Sequence, residues 1–147
     1  STETVAWLNG LCWHDSILYE IRFIRTNSLD QVVLILDLLQ DWEAQISQQT
    51  IVTFQDCWLV NTQMNWGVIC MSAGEMIYGL IARQEGALID KVRSEWPHLN
   101  QAKLAELHLD MASTGSTLDL VFGSVEITTD SVLGQHTAPP LVKVEGQ

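Results

Sequence analysis

Cys12-Trp13-His14-Asp15-Ser16-Ile17-Leu18-Tyr19-Glu20-Ile21-Arg22-Phe23-Ile24-Arg25 opens on a polar His-Asp-Ser step and continues with a period of two. Ile17, Tyr19, Ile21 and Phe23 fall on one face, and Leu18, Glu20, Arg22 and Ile24 on the other. That alternation, rich in β-branched and aromatic residues, predicts a β-strand. The fully apolar face predicts that the strand lies over the core.

Working outward, Thr26 to Asp30 supplies turn residues, and Gln31 to Gln40 alternates again with Val32, Leu34, Leu36 and Leu38 on one face. With Asn27 to Asp30 as the loop, Phe23 faces Leu34, Ile21 faces Leu36 and Tyr19 faces Leu38, so both apolar faces share a side. Val33 and Ile35 make the back apolar as well, which suggests a pair covered on both faces and a chain that self-associates. Upstream, Thr4 to Gly10 reads as a short helical turn. Downstream, Asp41 to Gln49 is a polar connector. Thr50 to Phe54 is a third strand, continuing irregularly through Cys57 to Val60. Trp66 to Met71 and Glu75 to Ala82 are extended runs, with a helix over Gly74 to Arg83 as the rival reading.

Glu85 to Trp96 changes period. Leu88, Ile89, Val92 and Trp96 recur at helical spacing, and Pro97 ends the run. Lys103 to Ala112 and Thr117 to Thr128 then flank Ser113-Thr114-Gly115-Ser116. With Thr114-Gly115 as a two-residue turn, Met111 faces Leu118, Leu109 faces Leu120 and Leu107 faces Phe122. The parity changes beyond Phe122, so a β-bulge is expected near Gly123-Ser124. Residues 129–147, with Pro139-Pro140, read as a peripheral tail of a single domain spanning 1–147. The expected class is α+β: a mainly antiparallel sheet with one amphipathic helix packed on it.

The chain has 147 residues and a formal net charge of −11, from 18 acids against 7 bases. Such a surface repels phosphate backbones and anionic membranes, so neither nucleic acid nor membrane is an expected partner, whereas a basic protein is. No apolar run is long enough to span a bilayer, and the first residues lack the segments of a signal peptide. Cys12, Cys57 and Cys70 form no C-x-x-C pair and are odd in number. Free thiols in a reducing cytoplasm are therefore expected.

Chemistry has two candidate places. His14-Asp15 is the ligand dipeptide of the helical metal-dependent phosphohydrolases named for that pair, but here it opens a strand and lacks their earlier His, so local backbone bonding is the plainer reading. Cys12 and His14, two apart, would share a strand face. On the terminal hairpin, the two-residue turn sets Asp110 opposite Asp119, with His108 diagonal and Glu106 following on the same face. Facing carboxylates repel, and a cation or a basic partner would relieve them. Asp110, Asp119, His108 and Glu106 are thus candidate binding residues, with His14 and Asp15 second. No nucleophile constellation, G-x-S-x-G, H-E-x-x-H or phosphate-cradling loop is present, and no cofactor or resident metal is expected. Of six tryptophans, Trp96 and one or two others are expected in the core; Trp13, Trp42 and Trp58 lie among polar residues or near loops and are candidates for partial exposure as a binding patch, with simple packing the favoured reading for most of them.

His14-Asp15-Ser16 opening a strand, Ile51-Val52-Thr53-Phe54 in the middle, a helix ending at Trp96 and a turn on Ser113-Thr114-Gly115-Ser116 together resemble a group of small bacterial domains, some described as immunity proteins that neutralise a toxin. The resemblance covers roughly residues 12 to 128 as pattern. It implies a β-rich intracellular binding domain and supplies no catalytic set. The expected function is a non-enzymatic acidic module that binds a basic protein. A metal-dependent hydrolase on His14/Asp15 or Asp110/Asp119, and a self-associating structural protein, are the alternatives.

Overall fold

The computed structural model describes residues 2–65 and 74–129, and the backbone of 142–145. The expected run at Trp66 to Met71, and Cys70 with it, lies outside the described residues. In chain order come helix α1 (Thr2–Gly10), strands β1 (Cys12–Ile24), β2 (Gln31–Asp41), β3 (Ile46–Gln55), β4 (Leu59–Gln63) and β5 (Glu75–Arg83), and helix α2 (Ala87–Glu95). After a 3₁₀ turn at Pro97–Leu99 come β6 (Ala105–Met111), β7 (Thr117–Phe122), β8 (Ser124–Thr129) and β9 (Val142–Glu145). The fold is mainly antiparallel sheet with two helices, the expected helical turn at Thr4 to Gly10 being the helix Thr2–Gly10. Glu75 to Arg83 is a strand, so its helical rival fails.

One sheet runs in the order β4-β7-β6-β5-β1-β2-β3-β8-β9, each pair antiparallel. β7 and β8 are consecutive in sequence yet stand near opposite ends of that order, so the sheet must fold back until its two wings meet. The hinge is Gly123, expected to sit in a bulge but found at a corner where the chain leaves one wing for the other. Its N–H donates to the carbonyls of Gln55 and Asp56, each at 3.1 Å. A Cβ here would lie 2.7 Å from Asp56 Oδ2, so the absence of a side chain is what lets the two crossing segments approach. The stretch from Asp56 to Trp58 crosses beside it, and the rings of Phe54 and Phe122 meet edge to face with centroids 4.9 Å apart.

Inside the folded sheet lies one apolar cluster. Val32, Leu34, Leu36 and Leu38 of β2, Val52 and Phe54 of β3, Ile77, Leu80 and Ala82 of β5, and Leu107, Leu109 and Met111 of β6 are all buried. Leu118, Leu120 and Phe122 of β7 and Val125 and Ile127 of β8 complete it. Truncating any one of the large members to Ala would cost about 2–5 kcal/mol. α1 closes an end of this core with Leu8. Its Asn9 donates to the Ala82 carbonyl at 3.0 Å and accepts from the Ala82 N–H at 2.8 Å, satisfying a β5 residue that would otherwise lack a ladder partner there. Trp13, a candidate for partial exposure, is packed in the core, and its indole donates to the Leu8 carbonyl at 2.7 Å.

The second hairpin differs from the expected register by two residues throughout, whereas the first differs by two over residues 20–24 and by three at Ile17 and Leu18, so that Leu18 is buried while Tyr19 and Phe23, expected over the core, are exposed. In the first, Phe23 pairs with Val32 and Ile21 with Leu34, and Tyr19 falls in an irregularity between Leu18 and Glu20. In the second, Leu109 pairs with Leu118, Leu107 with Leu120 and Ala105 with Phe122. The cause in the second is the turn. Met111 N–H donates to the Ser116 carbonyl at 2.9 Å, closing a loop over Ala112–Gly115 in place of a two-residue turn. The tail expected to be peripheral supplies β9, an edge strand on β8.

Candidate functional site

The outer face of β5, β6 and β7 is laid out in rows by the pairing. One row sets Arg83 beside Glu106, with Val121 and then Leu59 following across β7 and β4. The next sets Ile81 beside His108, then Asp119 and Asn61. The third sets Gly79 beside Asp110 and Thr117. Asp110 therefore does not face Asp119. The register on which their mutual repulsion was expected is corrected, and His108 holds the position between them.

The first row is covered. Ile89 and Val92 of α2 are buried with Leu99, Leu104 and Val121, and Trp58, Leu59, Leu88 and Ala102 pack around them. Gly86 precedes α2 and has no side chain with which to cap it. Glu106 does this from β6: its Oε2 accepts the N–H groups of Leu88 and Ile89, both at 3.0 Å. These are the second and third residues of the helix, the donors an N-cap side chain normally serves. A Cβ on Gly86 would collide with the Glu106 carboxylate, so glycine is required for this remote cap. Glu106 is buried and committed to α2 rather than displayed beside His108.

The second and third rows are open. His108 Nδ1 lies 2.6 Å from Asp119 Oδ1, and its Nε2 lies 2.9 Å from Asp110 Oδ1. Carboxylates only accept, so both contacts are hydrogen bonds only when both ring nitrogens carry protons. The imidazolium is the species this geometry holds. Accordingly the His108 pKa is raised above its ordinary value, first by the hydrogen bond to Asp119 and then by that to Asp110, against the opposing effect of partial burial. The Asp119 side chain is 24% exposed and that of Asp110 46%, so the contact that contributes most is also the better shielded one. With both nitrogens engaged, His108 is not available as a general base in this state. A shallow cavity of about 270 Å³ runs from the triplet to the α2 N-terminus, lined by Ile81, Arg83, Leu88, Glu106, His108 and Asp119 among others. Beside it, β5 displays Ile81 (54% exposed), Tyr78 (64% exposed) and Met76. Tyr78 sits where the β5–β6 register shifts, between Ile77 and Gly79.

His14 and Asp15 lie elsewhere, at the start of β1. Asp15 adopts a left-handed backbone (φ 68°), a conformation Asp tolerates better than most residues. His14 Nδ1 donates to the Tyr78 carbonyl at 2.7 Å, and its Nε2 is 3.6 Å from Asp15 Oδ1. The Trp42 indole donates to Asp15 Oδ2 at 3.1 Å. The dipeptide thus ties β1 to β5 and to the turn after β2. Cys57 is half-buried and its thiol is pushed up to about 12 by desolvation, which leaves it protonated and unreactive at neutral pH. Among the described residues, no group of three or more His, Cys, Asp or Glu is placed to hold a metal ion, and no helix is long and apolar enough to cross a membrane.

Of the residues singled out from the sequence, the fold brings His108, Asp110 and Asp119 together, sets Glu106 to capping, and leaves His14 and Asp15 outside that triplet, with the His14 ring edge to face against Tyr78 at 5.6 Å. It adds Tyr78 and Ile81, which carried no sequence signal because an apolar residue in a strand reads as core. Comparison with protein-family models, with curated proteins and with solved structures finds no match.

Proposed function

We propose that the chain is a non-enzymatic, acidic binding module that docks a basic protein partner on the open outer face of β5, β6 and β7, in the manner of an immunity protein. The observation that carries this reading is the juxtaposition of exposed Tyr78 and Ile81 with the Asp110–His108–Asp119 triplet. Apolar and aromatic anchors beside a cluster of net negative charge are the composition of an interface centre with an electrostatic guide. The net charge of −11 supports a basic partner by long-range attraction. α2, read here as an amphipathic helix docked on the sheet, closes one end of the face and leaves the rest open.

The triplet gives this surface a defined chemistry. With His108 protonated, two carboxylates share one internal cation. A guanidinium or ammonium from the partner competes for the same oxygens, so binding and deprotonation of His108 favour each other. Affinity for the partner is expected to rise with pH through the raised His108 pKa, and to fall with salt.

The test is affinity capture from the source cell on immobilised wild type and on the Asp110→Asn/Asp119→Asn double variant, at low and high salt. The expected result is a basic protein retained by wild type at low salt and lost with the double variant or at high salt. Retention indifferent to both changes, or no retention by wild type, would overturn the reading.

A further inference from the structure

A second cavity, of about 400 Å³, shares no lining residue with the one beside His108. Its volume falls in the range of small-molecule sites. The walls come from the first residue of α1, the link from β5 to α2, the C-terminal half of α2, and the segment between the 3₁₀ turn and β6. Two side-chain contacts hold these walls together. Thr2 Oγ1 donates to Gln84 Oε1 at 3.1 Å, which ties α1 to the β5–α2 link. Arg93 Nη2 donates to the Ala102 carbonyl at 3.0 Å, which ties α2 to the segment before β6. The charge here runs against the rest of the molecule. The chain has 7 bases against 18 acids, yet Arg93 and Lys103 both line this cavity, with Glu85 the acid opposing them. Neither cation has a carboxylate within ion-pair distance among the described residues. A guanidinium carries five N–H donors, and the Arg93 Nε is buried with no acceptor among the described residues. Buried polar atoms are nearly always served, so a guanidinium left short of acceptors points to one from outside the chain.

We infer that this cavity binds a small polar molecule through a phosphate group. Arg93 and Lys103 reach it from separate segments, and that arrangement suits a phosphate better than a carboxylate. A carboxylate has two oxygens, which a guanidinium fork occupies. A phosphate monoester has three terminal oxygens and a second charge, enough for the fork and an ammonium together. The carboxamides of Gln84, Asn100 and Gln101 and the carboxylate of Glu85 line most of the remainder. Such groups donate to and accept from hydroxyls, so the body of the ligand is hydroxylated rather than apolar. The net charge of −11 repels free anions, so occupancy depends on these two cations at short range and not on steering from a distance.

The test titrates the protein with glycerol 3-phosphate, with glycerate and with glycerol at constant ionic strength. It follows the side-chain amide NMR signals of Gln84, Asn100 and Gln101 and the Nε–H signal of Arg93. Glycerol 3-phosphate is expected to shift these signals to saturation, glycerate to bind about tenfold more weakly, and glycerol to move none of them. Lys103→Gln should weaken glycerol 3-phosphate about tenfold while melting like wild type, since Lys103 is exposed. Arg93→Lys keeps the charge but loses the fork, and should weaken binding as well. No saturation by glycerol 3-phosphate, glycerate binding as tightly as the phosphate, an equal response to glycerol, or undiminished binding in Lys103→Gln would overturn the assignment. None of these outcomes bears on the β5–β7 surface.

Discussion

Glu106 and His108 stand two residues apart on the same face of β6, and their fates differ completely. Glu106 lies under α2, where its carboxylate replaces a capping side chain that Gly86 lacks. His108 lies beyond the edge of the helix, where it gathers two carboxylates and stays half-exposed. Strand parity sent both outward; only the reach of a nine-residue helix separates them. An ionisable residue on the outer face of a sheet thus becomes structural or available according to what is laid over it, and the residue type alone does not distinguish the two.

The most damaging way to break this contrast is to disrupt the covered side. Val92→Asp places a charge between α2 and β7, where Val92 is buried, and should cost at least about 3 kcal/mol, read as the shift of the urea midpoint. Wild-type stability in that variant would mean that α2 does not seal the face. Next, Glu106→Ala removes an acceptor serving two helix N–H groups and should cost about 2–3 kcal/mol, while Glu106→Gln, which keeps an acceptor, should lose about half as much. Equal losses would assign the effect to packing rather than to capping.

The open side predicts a smaller and pH-dependent effect. The folded pKa of His108 is raised above the unfolded value near 6.5. Its stabilisation is therefore complete below the unfolded pKa and is lost as pH rises through the higher folded one. The side chain is 44% exposed, so screening holds the gain to about 1 kcal/mol or less. Denaturation of wild type and of His108→Gln on both sides of that window should show a difference that shrinks as pH rises; a gap that grows with pH would reverse the assigned charge state. Smallest of all, Trp96→Leu should change stability by no more than about 0.5 kcal/mol, since the ring is half-exposed. A loss of several kcal/mol would put Trp96 back in the core.

Much of this contrast was legible in the sequence. The period of two in Leu107, Leu109 and Met111, and in Leu118 and Leu120, assigned inner and outer faces correctly, and His108, Asp110 and Asp119 fell together on the outer one. The second hairpin nonetheless slipped by two residues, because an even slip leaves every side chain on its own face and so leaves the hydrophobic pattern unchanged, while in the first the irregularity at Tyr19 exchanges the faces and buries Leu18 instead. Only the turn decides between such registers, and the turn over Ala112–Gly115 is held by hydrogen bonds that composition does not reveal, such as Asn65 Nδ2 to the Thr114 carbonyl. The role of Glu106 was hidden for a related reason. Its partners Leu88 and Ile89 belong to a separate element, and which row of the sheet a helix covers is a tertiary fact. Gly123 read as a bulge because a parity change looks the same in sequence whether the strand bulges or turns a corner.

What the proposed binding surface rests on is that His108 is an imidazolium shared between Asp119 and Asp110. An NMR titration of the His108 ring nitrogens in wild type, Asp119→Asn and Asp110→Asn tests this directly. In wild type both nitrogens should remain protonated at pH 6.5, with a midpoint above the ordinary histidine value; Asp119→Asn should lower that midpoint more than Asp110→Asn. A wild-type midpoint at or below the ordinary value, or one unmoved by either substitution, would contradict the shared imidazolium and with it the chemistry assigned to this face.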